Sequence, residues 1–334
     1  MPKKEKPILR TSIGGQALIE GIMMKGTKKI AIAVRTKSGE IETECSDLPP
    51  KRWYQKVPFL RGIFNFVSQL KDGMGYMNKA MEKSGYLDDE EEEEPSKFEK
   101  WLEKTFGKSI MTVVSVIGAV LGVGLALLLF ILVPTWLFTG IQTLLGDYDI
   151  SPFRSLFEGI IKILVYILYL WLTSLLKDIR RVYEYHGAEH KTIATYEAGE
   201  ELTVENVKKH IRFHPRCGTS FIFLVLAISI LVTTLVPINS EQFVIWFGVG
   251  KFVADLMRAV CKILLLPLTV GISYELIKLA GRYDNIATRI ISAPGLALQR
   301  LTTREPDESQ IECAIAAIIP VLPEKGEEGK EDKW

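Results

Sequence analysis

Four long apolar runs, separated by strongly charged segments, set the pattern of the chain. The first covers residues 110–132 without a charge, and its apolar character continues past Pro134 to residue 145. The second covers residues 156–176, and the third, residues 221–236, is clean but short. A helix needs about 20 apolar residues to cross a bilayer core. The pattern therefore predicts an α-helical integral membrane protein with about four transmembrane helices.

The fourth run, residues 243–279, carries a charged stripe on one helical face, because its members are four, three and four residues apart: Lys251, Asp255, Arg258 and Lys262. One interpretation is an amphipathic stretch that leads into a spanning segment over residues 260–276, kinked at Pro267. The other is a stripe that lines a cavity between helices, because ionisable residues at membrane depth usually face protein or water. The sequence is compatible with both.

The region before the first run predicts a small α+β cytoplasmic portion that includes an N-terminal β-hairpin. Residues 30–43 turn at Gly39 between two short strands, as a hairpin requires. Residues 53–81 mix apolar and charged positions, as in an interfacial helix on the membrane surface or a helix packed on the soluble domain. Residues 88–94 are all acidic, which is typical of an exposed linker.

The predicted organisation has seven parts. They are a cytoplasmic N-terminal segment with the hairpin (1–50), an amphipathic or interfacial helix (51–85), an acidic linker (86–109), a first transmembrane pair (110–176), a cytoplasmic His-rich loop (177–219), a second transmembrane pair (220–280) and a cytoplasmic C-terminal tail (281–334). Within that tail, residues 307–321 predict a short helix and residues 324–334 a disordered end.

Charge predicts the orientation of the chain in the membrane. Residues 146–155 contain two Asp and one Arg, whereas residues 177–218 contain eight Lys and Arg residues. Because basic loops stay in the cytoplasm, we expect a multi-pass protein of the cell membrane with both termini cytoplasmic. The four cysteines form no CxxC pair, so reduced thiols are expected rather than a disulfide framework. The net charge of +1 hides the local asymmetry and indicates little about partners.

All four histidines lie between positions 186 and 214, inside the basic segment. His186, Glu189 and His190 have the H-x-x-E-H spacing, which on a helix lets both imidazoles offer a nitrogen to one metal ion. Glu189 would then act as a general base, as in the inverted zinc-peptidase motif.

Two further candidates follow the histidine motif. His214 and Cys217 supply another imidazole and a thiolate three residues apart, so the four side chains would form a zinc set of three nitrogens and one sulfur. A closed four-ligand site would be structural, and a catalytic site needs one of these side chains to stay off the metal. The alternative without metal is a group of interfacial or hydrogen-bonded histidines.

A glycine-rich patch at residues 14–26 lacks both the Walker spacing and the dinucleotide fingerprint. It is interpreted either as a tight turn before the hairpin or as a loop whose Glu20 approaches the histidine segment. Glu275, at the cytoplasmic end of the last run, is either a further metal ligand or an ordinary interfacial acid.

Five motifs in order give the chain a family resemblance: GGQALIEGIMMKG (14–26), HGAEHK (186–191), FHPRCGTSF (213–221), LPLTVGISYE (266–275) and APGLALQRLTTREPD (293–307). The chain resembles the YqhQ-like family of bacterial membrane proteins, which is also found in plastid-bearing organisms. That family has no known function and is commonly described as predicted metal-dependent enzymes. The resemblance implies the main site residues His186, Glu189, His190, His214 and Cys217, with Glu20 and Glu275 as second-tier members.

The leading hypothesis is therefore a metal-dependent membrane enzyme of the hydrolase type. Zn²⁺ or another divalent metal would lie at the cytoplasmic membrane face, and Glu189 would activate water. The alternative is a non-enzymatic scaffold with a structural metal site that docks a cytoplasmic partner. Besides the lipid bilayer, the expected partners are a cytoplasmic protein or anionic lipid headgroups, and nucleic acid is not expected. A small transporter is a third hypothesis, which depends on the charged stripe.

Overall fold

The structure is a computed structural model that describes residues 11–86, 110–236, 238–283 and 285–323, without the side chains of residues 110–116 and 119. The chain divides into two compact units. Unit 1 contains Met1–Tyr86, Tyr169–Val225 and Pro267–Trp334, and unit 2 contains Leu87–Leu168 and Leu226–Leu266. The acidic run of the predicted linker and the predicted disordered end lie outside the described residues.

Unit 1 is built on a four-stranded antiparallel sheet in the order β1-β2-β3-β4. Its strands are β1 (Gly14–Leu18), β2 (Gly21–Lys25), β3 (Lys29–Arg35) and β4 (Ile41–Asp47). The predicted hairpin is confirmed, since β3 and β4 pair from Lys29↔Asp47 to Arg35↔Ile41. The tight turn expected at residues 14–26 is wrong, because this patch forms β1 and β2.

The error at residues 14–26 has a physical reason. Successive side chains of β2 alternate between two buried faces: Ile22 and Met24 pack on one side of the sheet and Met23 on the other. A strand with both faces buried reads as a continuous apolar run instead of an alternating one. The glycines around that run suggested a turn, and the only turn between β1 and β2 is Ile19 and Glu20.

Helices make up most of the remaining described chain. They are α1 (Leu60–Ser84), α2 (Ile110–Leu127), α3 (Val133–Leu145), α4 (Arg154–Thr173), α5 (Lys177–Glu197), α6 (Val204–Lys209), α7 (Gly218–Leu235), α8 (Ser240–Phe247), α9 (Lys251–Leu264), α10 (Leu266–Arg282), α11 (Ile286–Thr302) and α12 (Glu308–Ile318). A π-helical turn, Leu128–Leu132, joins α2 to α3. The short helix expected near residues 307–321 is present as α12, and the segment treated as a His-rich loop contains α5 and α6.

The sheet of unit 1 lies between helices. Helices α5 and α12 cover one face, where Tyr185 and Ile311 join the sheet residues in a buried core. Helix α1 covers the other face through Tyr76, Met77 and Ala80. The opposite side of α1 exposes an apolar stripe: Phe64, Val67, Leu70 and Met74. Helix α1 therefore packs on the sheet and also retains the exposed apolar face that an interfacial helix requires.

Four helical segments are long and apolar enough to cross a membrane, as the sequence predicted: Val120–Leu145, Ser151–Thr173, Gly218–Leu235 and Lys251–Arg282. Little of each segment is buried within the protein, which leaves their apolar surfaces available to lipid. The charged stripe lies on α9, where Arg258 is buried and Lys251 is exposed.

A candidate metal centre in unit 1

Helix α5 carries the H-x-x-E-H motif over the edge of the sheet next to β1. His186 and His190 are one turn apart, and their ring centroids are 4.4 Å from each other. Gly187 lies between them because the backbone carbonyl of Arg304 passes there: a Cβ at this position would be 2.0 Å from that oxygen. The glycine of HGAEHK thus lets residues 302–306 pass directly against the site helix.

Three potential metal ligands converge at this helix. One ligand atom each from His186, His190 and Cys217 lies within 4.8 Å of the other two. The Cys217 Sγ is 3.2 Å from the His186 Nε2. In a tetrahedral zinc site, bond lengths of about 2.3 Å to sulfur and 2.0–2.1 Å to nitrogen place such atoms roughly 3.5 Å apart. The separation of the Cys217 sulfur and the His186 nitrogen is therefore close to that of a zinc site, and the His190 nitrogen is within 4.8 Å of both.

Backbone carbonyls fix the orientation of both imidazoles. The His186 Nδ1 is 2.8 Å from the carbonyl oxygen of Thr302, and the His190 Nδ1 is 2.7 Å from that of Arg212. Because a carbonyl oxygen only accepts, each Nδ1 must be the protonated nitrogen. Each Nε2 then faces the convergence point, where it offers a lone pair once its own proton has left. Histidine ligands of metal sites are oriented in this way by a hydrogen bond from the other ring nitrogen.

The electrostatics of the three ligands favour a thiolate. Burial opposes ionisation of Cys217, but the charges of His186 and His190 outweigh it and hold the pKa of the thiol well below its usual value. Burial likewise works against protonation of His186, yet the Cys217 thiolate raises the pKa of that imidazole to about 9. The thiolate thus stabilises a positive charge beside it in the buried site. A bound metal ion can provide that positive charge in place of the proton on His186.

Glu189 lies beside the ligands and is almost completely buried. Burial raises the pKa of its carboxyl group, while the charges of His186 and His190 act in the opposite direction. The backbone N–H of Gly15 on β1 hydrogen-bonds the carboxylate. A Cβ at residue 15 would be 2.9 Å from the Glu189 Cδ, so glycine is required for this approach.

His214 is near this group but is not one of its three converging ligands. Its ring centroid is 5.5 Å from that of His190. Its Nε2 lies 3.0 Å from the Arg216 guanidinium, which only donates, so this nitrogen accepts and its lone pair is occupied. Burial and the Arg216 charge lower the pKa of His214 to about 4. The imidazole is therefore neutral and holds Arg216.

The second-tier candidates lie elsewhere in unit 1. Glu20, in the β1–β2 turn, accepts hydrogen bonds from Arg181 and from the Tyr185 hydroxyl at 3.2 Å. It does approach α5, but as an ion-pair partner. Glu275 on α10 is bound by the Arg61 side chain and by the backbone N–H of Phe59 at 2.9 Å. Neither carboxylate belongs to the converging group.

Several residues that support the site escaped the sequence argument. Gln299 is fully buried and donates to the backbone carbonyl of His214 at 2.7 Å, while its own oxygen accepts from the His214 N–H at 2.8 Å. Glu197 accepts from the Thr11 N–H at 2.9 Å and from Arg216. The sequence contained one signal for these residues: Gln299 lies inside the fifth motif, and Arg216 lies inside the third. Together these contacts fix the segment that carries Cys217.

Comparison with known proteins gives a family but no activity. The family described as "Protein of unknown function (DUF1385)" matches residues 57–324. The uncharacterized protein YqhQ of Bacillus subtilis (strain 168) is 33% identical over 313 residues, which is 92% of this chain and 92% of that protein. No solved structure matches the chain.

Proposed function

We propose a function from the geometry of the site, since the chain belongs to the DUF1385 family of YqhQ-like proteins, as its five motifs predicted, and that family has no described activity. The protein is a metal-dependent membrane enzyme of the hydrolase type. His186, His190 and Cys217 hold a divalent metal ion, and Zn²⁺ is the ion that we propose. The observation that carries this proposal is the convergence of three ligand atoms whose imidazoles are both fixed at Nδ1 by backbone carbonyls.

Three protein ligands are the number that catalytic zinc sites use, with one position left for water or substrate. The ion would supply Lewis acidity that polarises an oxygen atom. Glu189 is the proton-holding group: the Gly15 N–H orients its carboxylate, and burial brings its pKa towards the working range of a general base. His190 and Glu189 are 2% and 5% exposed, so the site excludes most bulk water.

The composition of unit 1 supports a membrane topology with four spans. Unit 1 draws on the chain before the first candidate span, on the stretch that joins the second span to the third together with the adjoining ends of both, and on the second half of the fourth span with the chain that follows it. An even number of spans places these three parts on the same side of a bilayer. The basic residues between the second and third spans favour the cytoplasmic side. We therefore infer a multi-pass protein of the cell membrane with the site and both termini in the cytoplasm.

The edge strand favours a polypeptide substrate over a lipid headgroup. In the described residues β1 pairs with β2 alone, and Gly15 on this edge strand lies against the Glu189 side chain. An extended peptide that adds to a sheet edge would pass directly beside the Glu189 carboxylate. A peptide library incubated with the metal-loaded protein in detergent tests this step, with phospholipids as the comparison substrates.

The second candidate function is a scaffold with a structural metal site that docks a cytoplasmic partner. The near-complete burial of His190, Cys217 and Glu189 favours it, because a closed site with Glu189 as fourth ligand would leave no position for substrate. Such a site contributes folding free energy directly.

The two functions separate in one set of variants. We expect about one divalent ion per chain in the wild type, the stoichiometry of a single site, and none in the His186→Ala/His190→Ala double variant. His210→Ala is the matched control, since its Nε2 lies 3.3 Å from a carboxylate oxygen of Glu200 and is not one of the three ligands. Absence of metal from the wild type, purified without chelators, would refute both functions.

Glu189→Gln then distinguishes an enzyme from a scaffold. The enzyme predicts unchanged metal content and thermal midpoint, with loss of complementation in a deletion strain. The structural site predicts a lower midpoint and weaker metal retention, because the variant loses a charged ligand. Retention of both metal and complementation would remove Glu189 from either role.

A further inference from the structure

Unit 2 contains a buried ion cluster inside its membrane-span candidates. Glu158 on α4 is 1% exposed. Arg258 on α9 donates to both of its carboxylate oxygens, at 2.6 and 3.0 Å. Lys262 and Arg154 also pair with Glu158. One carboxylate is thus held by three cationic side chains, more than its charge requires.

The cluster has a surplus of positive charge. Asp255 is its second carboxylate, 3.5 Å from Arg154. Lys162 is a fourth cation, close enough to Glu158 to interact with it electrostatically. Two carboxylates and four cations leave two positive charges without a partner among the described side chains of unit 2. Unpaired charge at membrane depth is costly and marks functional sites.

Two of the four cations, Arg258 and Lys262, line a cleft of about 160 Å³. A cavity needs a volume of roughly 15 Å³ to hold one water molecule, so this cleft has room for a much larger group. Thr135, Asp255, Arg258 and Lys262 form its polar lining. The rest of the wall is apolar and includes Ile131, Leu132, Trp136, Phe252 and Leu256. One concave surface therefore combines cationic groups with aromatic and aliphatic walls.

We propose that this cleft binds an anionic phospholipid. The phosphate lies against Arg258 and Lys262 and neutralises one of the two surplus positive charges of the cluster, and an acyl chain runs along the apolar wall. Trp136 and Phe252 are 58% and 81% exposed, so that wall is open to surrounding lipid. A small inorganic anion would use the cations but leave the apolar wall unused. The site is separate from the metal centre of unit 1 and does not depend on its function.

The test is a lipid titration of the full-length protein in mild detergent, followed by the thermal midpoint. The probes are phosphatidylglycerol, phosphatidylcholine with the same acyl chains, and soluble glycerol phosphate. We expect phosphatidylglycerol alone to raise the midpoint. Equal shifts with phosphatidylcholine would refute the anionic preference, and an equal shift with glycerol phosphate would refute a lipid.

Lys262→Gln removes one surplus charge while Glu158 keeps Arg258 and Arg154, so the variant is expected to fold. We expect its half-saturating phosphatidylglycerol concentration to rise about tenfold, while Lys251→Gln, an exposed lysine on the same helix, stays within about twofold. Equal values for the two variants would overturn the proposal. Phe252→Ala tests the apolar wall, since it should weaken binding of long-chain phosphatidylglycerol more than that of a short-chain form. Equal weakening would refute the place given to the acyl chain.

Discussion

The close approach of residues 302–306 to α5 makes Gly187→Ala a sensitive test of the site. The alanine Cβ would start 2.0 Å from the Arg304 carbonyl oxygen, whereas real Cβ contacts are at least 3.0 Å. The backbone carbonyl must therefore withdraw by about 1 Å. That movement also strains the hydrogen bond from the Arg304 N–H to the Tyr183 carbonyl, now 2.8 Å.

The expected magnitude follows from two opposing effects. Replacing glycine by alanine inside a helix stabilises it by roughly 1 kcal/mol. Overpacking costs about 1–3 kcal/mol, and a weakened hydrogen bond adds about 1 kcal/mol. We expect a net loss of about 1–3 kcal/mol in the free energy of unfolding. Gly75→Ala is the matched control, because Gly75 is also in a helix of unit 1 but has no atom within 4 Å of the point where a Cβ would lie; it should gain up to about 1 kcal/mol.

Thermal unfolding in detergent with and without added zinc measures both effects. The midpoint of Gly187→Ala should fall by several degrees and that of Gly75→Ala should stay or rise. Since the Thr302 carbonyl orients His186, zinc affinity of Gly187→Ala should fall about 10- to 100-fold, the usual effect of losing an orienting partner. If the Gly187→Ala protein has the same thermal midpoint and the same zinc affinity as the Gly75→Ala protein, the packing of residues 302–306 against α5 is refuted.

Three further predictions test the surroundings of the site. Gln299→Leu should destabilise unit 1 by about 2–4 kcal/mol, because it leaves a buried backbone donor and acceptor unpaired; the exposed Arg300→Leu on the same helix should stay near wild type in a denaturant titration. The ion pair with Arg216 outweighs burial and lowers the pKa of Glu197 to about 2, so its contribution is complete above the unfolded pKa near 4.3. Glu197→Gln should therefore cost about 2 kcal/mol at pH 7, and the gap to wild type should close as the pH falls from about 4.5 towards 2; a gap that keeps its full size at pH 2 would contradict the ion pair. Chelation should lower the wild-type thermal midpoint by several degrees but leave a His186→Ala/His190→Ala protein unchanged.

The sequence predicted the parts of the fold that leave a local pattern in the order of apolar, polar and turn-forming residues. The four apolar runs, the hairpin turning at Gly39 and the helix after Asp307 all have local signals, and each is present in the structure. The sheet was only half predicted, because β2 is buried on both faces and its flanking glycines resemble a turn. The charged stripe on α9 was visible as a spacing, but the sequence contained no sign that Glu158, one hundred residues earlier, is its partner.

For the candidate site, residue type and spacing identified His186, His190 and Cys217, and they included His214 as an equal member. What separates His214 from the other three side chains is its hydrogen bonding. Arg216 occupies the Nε2 of His214, which no spacing rule reveals, because arginine and histidine two residues apart are common neighbours without contact. Glu20 and Glu275 were drawn in for the same reason: a carboxylate near a motif looks like a ligand until its cationic partner, Arg181 or Arg61, is known.

The backbone carbonyls that orient the two imidazoles could not have been predicted from residue types, because every residue has a backbone carbonyl. What brings the carbonyls of Arg212 and Thr302 to the two imidazoles is the path of the chain, which returns to α5 just before the third motif and again in the fifth. The third motif contributes Cys217 together with the buried segment that Gln299 holds, and the fifth contributes both Gln299 and the strand-like passage across Gly187. The fifth motif, which contains no candidate ligand, therefore does as much to define the candidate metal centre as the histidine motif does, and variants within it should reduce zinc affinity without removing any donor atom.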